Sequence, residues 1–100
     1  MKQLEDIYNR VVEATLTASE LTFEQLATSR TERSVIARVV LIDTLIDVGF
    51  TEGDICAVSG MSQQRVNSLK NSAKYRLKGL SARIMRDEVR KRVRNSKEKS

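Results

Sequence analysis

The side chains best suited to reading another molecule lie between Ser62 and Lys78. Gln63, Gln64, Asn67, Ser68 and Asn71 recur at spacings that put them on one side of a helix. A side-chain amide carries a donor and an acceptor next to each other, the pattern that pairs with the N6 and N7 edge of adenine. Lys70, Lys74, Arg76 and Lys78 follow in the same segment, with stems long enough to bring a cation to a phosphate oxygen. Solvated helix faces are usually filled by Lys and Glu, so amides without an acid favour recognition over simple solubility. Enzyme chemistry has no comparable support. The chain has no histidine, one cysteine and no phosphate-binding glycine loop, and no nucleophile, base and orienter fall together.

Two helix-start signals flank this segment. Thr51 with Asp54 three residues on is an acidic capping box, with Phe50 and Ile55 as its hydrophobic staple. Ser62 repeats the cap, with Met61 and Val66 as the staple. Gly60 between them suits the left-handed residue that ends a helix. A short helix, a glycine turn and a second capped helix over about 62–78 describe a helix-turn-helix, the unit that most often places a helix in the DNA major groove. Cys56, one turn before Gly60, reads as a small core residue where the two helices cross. An ordinary helical hairpin uses the same caps and apolar spacing.

The 100 residues suffice for one domain. No proline, four glycines and four aromatics favour helices over sheets. The single cysteine excludes an intrachain disulfide and, with no histidine, a Cys/His zinc cluster. No cofactor is expected. No apolar run reaches the length of a membrane span and no secretory leader is visible, which points to the cytoplasm. The net charge of +5 is unevenly spread: residues 1–50 carry −3 and residues 51–100 carry +8. From Gly60 onward only Asp87, Glu88 and Glu98 oppose thirteen cations. Such a basic half is the footprint of a polyanion binder.

The other elements follow from periodicity. Leu4, Ile7, Tyr8, Val11, Val12 and Leu16 predict an amphipathic helix over 2–16. Capping boxes at Thr17–Glu20 and Thr22–Gln25 suggest a short helix carrying Phe23 and Leu26. After the polar junction Ser29–Ser34, apolar residues from Val35 to Val48 cover over half of a central helix from about residue 32, with Asp43 and Asp47 on its wet edge. Val66, Leu69, Ala73 and Leu77 form the buried line of the second motif helix. Gly79 breaks it, and a last helix from Ser81 either packs back on the core or dimerises. The expected fold is all-α: a bundle of five to six helices over residues 1–94, ending in a disordered basic tail over 95–100.

Laid out this way, residues 4–77 resemble the C-terminal DNA-binding domain of the bacterial replication initiator DnaA. The likeness rests on Ile7 and Val11, Leu21 and Leu26, the junction Arg30 and Arg33, Ala37-Arg38, Phe50 through Ile55, and Gly60 and Val66. It implies a minor-groove role for Arg30 and Arg33 and a reading role for Gln63, Gln64 and Arg65. Gly49 through Leu77 is also similar to the helix-turn-helix of sigma factor region four and of LuxR-type regulators. The candidate contacts are therefore Gln63, Gln64, Asn67, Ser68 and Asn71 at base edges. Arg30, Arg33, Arg65, Lys70, Lys74, Arg76 and Lys78 are assigned to the backbone or the minor groove. Double-stranded DNA is the expected partner of a small transcriptional or replication accessory factor. The alternative is a helical adaptor whose basic last helix docks an acidic protein or a second copy of the chain.

Overall fold

Helix-starting hydroxyls punctuate this chain, and the computed structural model places a helix after each of four of them. The structure describes residues 2–99, with side chains for residues 3–95. Six helices follow one another: α1 (Lys2–Ser19), α2 (Phe23–Thr28), α3 (Glu32–Asp47), α4 (Glu52–Ser59), α5 (Gln63–Arg76) and α6 (Leu80–Lys99). The fold is all-α, with no strand among the described residues. The side-chain oxygens of Thr22, Thr31, Thr51 and Ser62 each accept from the backbone N–H three residues on. Each such cap contributes about 1 kcal/mol. At Thr22 and Thr51 the box is complete, because Gln25 and Asp54 accept in return from the cap's own N–H.

The box expected at Thr17–Glu20 does not form, and α1 runs on to Ser19. Thr15 and Ser19 are buried inside the helix, where their hydroxyls donate back to the carbonyls of Val11 and Thr15 at 2.8 and 2.7 Å. These hydroxyls bond within the helix across the point where Thr17 was expected to start a new one. Glu20 ends it in a left-handed conformation at φ 60°.

α3 is the axis of the bundle, touched by α1, α2, α4, α5 and α6. Val39, Val40, Ile42 and Leu45 are fully enclosed. Burying each of these side chains contributes about 1.5–3 kcal/mol. The edge marked by Asp43 and Asp47 is exposed at Asp47, as expected, but partly covered at Asp43. Arg90 of α6 reaches Asp43 at 3.4 Å and Asp47 at 3.7 Å, and Arg86 approaches Asp43 at 3.9 Å. The last helix thus packs back on the core, burying Ala82, Met85 and Val89 against α1 and α3. It runs through residues 95–99, the stretch read as the start of a disordered tail, while Ser100 lies outside the described residues.

Phe50 and Ile55 of the first staple and Val66 of the second are buried, while Met61 is partly buried against the core. Cys56, expected in the core, is only half-buried against it. Gly60 takes φ 78° as the left-handed cap of α4. α5 ends at Arg76 with Leu77 as its cap, so Lys78 falls beyond the helix rather than on it.

Candidate nucleic-acid interface

α5 presents its amides because its apolar line is turned inward. Val66 and Leu77 are buried, and Leu69 and Ala73 are partly buried against the core. Gln63, Gln64, Asn67, Ser68 and Asn71 are all exposed. At ~100° per residue they occupy an arc of roughly 140° on the outer side. Lys70 falls at one margin of that arc, Lys74 within it, and Arg65 and Arg76 beyond the other margin, all four exposed. Lys74 Nζ lies 5.5 Å from the centre of the exposed Tyr75 ring. From Ser62 through Arg86 there are seven Lys or Arg residues, Arg86 included, and no Asp or Glu.

One carboxylate nevertheless reaches this surface from α4. Glu52 Oε1 accepts from Asn67 Nδ2 at 3.2 Å and Glu52 Oε2 pairs with Lys70 Nζ at 2.9 Å. Asn71 Nδ2 in turn donates to Asn67 Oδ1 at 2.9 Å. The hydrogen bonds from Lys70 and then Asn67 hold the Glu52 carboxyl below its ordinary value. A carboxylate only accepts, so it dictates which way both amides face. Asn67 turns its NH2 toward Glu52 and its oxygen toward Asn71, leaving the Asn71 oxygen free to accept. Glu52 lies fifteen and eighteen residues from its two partners, too far for any local pattern to reveal it.

The junction arginines have different circumstances. Arg30 is exposed and makes no ion pair among the described residues. Arg33 Nε donates to the Ser19 carbonyl at 2.6 Å, and its Nη2 lies 3.5 Å from Glu20. It satisfies a carbonyl left open by the end of α1, a structural duty the sequence did not announce. Arg38, in the midst of an apolar run, is 8% exposed and donates from Nη1 to the Leu26 carbonyl at 2.8 Å. Desolvation lowers its pKa, and the nearby charge of Arg65 lowers it further.

Three cations of α6 have carboxylate partners, whereas Arg83, Lys91 and Arg94 have none among the described residues. Arg86 and Arg90 face Asp43 and Asp47, and Arg92 Nε pairs with Glu88 at 2.7 Å. Among the described residues, Arg65, Lys74, Arg76, Lys78 and Arg83 form an unpaired basic run on α5, the α5–α6 turn and the start of α6, and Lys91 and Arg94 lie unpaired further along α6. Compared with known protein families, curated proteins and solved structures, the chain matches none.

Proposed function

We propose that this is a double-stranded DNA-binding domain in which α4 and α5 act as a helix-turn-helix and α5 enters the major groove. The observation that carries this reading is the exposed amide arc of α5, margined by cations and free of acids along its own helix. Gln63, Gln64, Asn67, Ser68 and Asn71 contact base edges, and amides there favour adenine. Arg65, Lys70, Lys74, Arg76 and Lys78 neutralise phosphates, and Arg30 reaches the adjacent backbone or minor groove. The ends of α4 and α5 fit such docking because the recognition helix of this motif presents its N-terminal turns to the bases. A role in transcription or replication follows as the biological setting.

Fluorescence anisotropy with random and selected duplex pools at two salt concentrations tests the proposal. The affinity should fall steeply with salt, and one sequence class should bind at least tenfold above the pool. Equal competition by every duplex would leave a non-specific basic protein, and no binding at low salt would reject the reading.

A second reading rests on a separate observation. Tyr75, Leu80 and Ile84 are apolar and 68%, 72% and 59% exposed, beside a groove between the start of α3 and the start of α6. An adaptor that docks a protein there would use this apolar patch and would show little salt dependence.

A further inference from the structure

A cavity of about 150 Å³ lies where α1, α2 and α3 meet the turn between α4 and α5. Tyr8, Val12, Leu26 and Met61 line it, and the exposed ring of Phe23 stands at its edge. Two guanidinium groups, those of Arg38 and Arg65, complete the lining, and no carboxylate does. Arg38 is more than nine-tenths buried yet forms no ion pair among the described residues. Its bond to the Leu26 carbonyl satisfies one N–H and leaves its charge uncompensated. Burying a cation without a counter-charge is costly, and a second cation beside it adds to the cost. Burial and the Arg65 charge both weaken the hold of Arg38 on its proton, in keeping with that arrangement.

We propose that this cavity binds a small organic anion, with an apolar body among Tyr8, Leu26 and Met61 and a carboxylate or phosphate between Arg38 and Arg65. A planar guanidinium receives either group through paired hydrogen bonds, and the apolar walls exclude the water that would weaken them. The size sets the body: an apolar cavity of about this volume accommodates benzene. Arg65 is shared with the proposed phosphate contacts, whereas Arg38, Tyr8 and Leu26 lie off the α5 amide arc, so the cavity is tested without DNA.

Titration calorimetry and amide chemical shifts with benzoate, phenyl phosphate, benzyl alcohol and inorganic phosphate test the assignment. Benzoate or phenyl phosphate should bind at millimolar concentration or better, with shifts confined to Phe23, Leu26, Ala27 and Met61. Benzyl alcohol should bind at least about tenfold more weakly, since it forgoes the charge-assisted bonds. Arg65→Gln, at an exposed position, should weaken benzoate by a similar factor and leave benzyl alcohol unchanged. Ala27→Leu should block all of these ligands. Equal binding of benzoate and benzyl alcohol would overturn the anion assignment. Inorganic phosphate binding as well as phenyl phosphate would overturn the apolar part, and no response at roughly 10 mM would overturn the site.

Discussion

Glu52 and Asn67, on successive helices, are joined by a 3.2 Å hydrogen bond that fixes the polarity of the amide row on α5. The same carboxylate restrains Lys70 and places a negative charge on a surface proposed to face phosphates. Glu52→Gln should therefore move two readouts in opposite directions. Binding to unrelated duplex should strengthen by about threefold to tenfold, because an opposing charge is removed and Lys70 is released. Discrimination between preferred and random sites should fall, because a glutamine no longer dictates the amide orientation. Anisotropy titrations on both duplex classes measure the two effects separately.

The same carboxylate makes a pH prediction. Its pKa is lowered in the folded chain, by Lys70 first and Asn67 second. Its contribution to stability is present above the ordinary glutamate value of about 4.3 and is lost as pH falls through the folded value. Wild type should melt above Glu52→Gln at pH 7, and the gap should close on acidification. A gap that persisted at pH 2 would deny the pair any electrostatic role.

Arg30 and Arg33, equivalent in sequence, should separate on mutation. Arg33→Ala removes the donor to the Ser19 carbonyl and should cost about 1 kcal/mol of stability, a figure reduced for the exposure of its ion pair. Arg30→Ala should leave the melting temperature unchanged and reduce DNA affinity with a shallower salt slope. Parallel melting and binding curves for the two variants decide it.

Along α5, Gln64→Ala should cost about 1–3 kcal/mol on the preferred duplex and little on unrelated DNA. Lys74→Ala should weaken both alike and reduce the salt slope by about one contact. Neither should shift the melting temperature, since both side chains are exposed and Val66 and Leu77 hold the helix. Competition titrations with the two duplexes separate these effects.

Thr44 supplies a prediction about the core alone. It is 1% exposed and its hydroxyl has no hydrogen-bond partner. Thr44→Val replaces that hydroxyl with a methyl of similar size and should stabilise the fold by about 1 kcal/mol. Chemical denaturation with an unchanged slope checks it.

What could be read in advance was what the chain decides over four residues. The caps at Thr22, Thr51 and Ser62, the Gly60 turn and the buried line from Val66 to Leu77 are all local devices. Their partners lie within a turn or on one face of one helix. The unread features join distant positions. Asp43 meets Arg90 forty-seven residues away, and Glu52 meets Lys70 eighteen away. The burial of Arg38 against the Leu26 carbonyl at the end of α2 likewise depends on where the chain folds back. Thr17 misled for the converse reason: a hydroxyl followed by an acid three residues on reads as a cap, yet here α1 runs past it to Ser19.

Because α6 lies against α1, Val11 and Val89 belong to one sealed interior although most of the described residues separate them. Helical bundles that pair only neighbouring segments close small loops early and gain contacts as they go. Here a loop of roughly 70 residues must close before the layer between α1 and α6 exists, which costs more chain entropy than closing a neighbouring pair. Contacts between the two outermost helices are therefore the costliest in chain entropy that this fold makes.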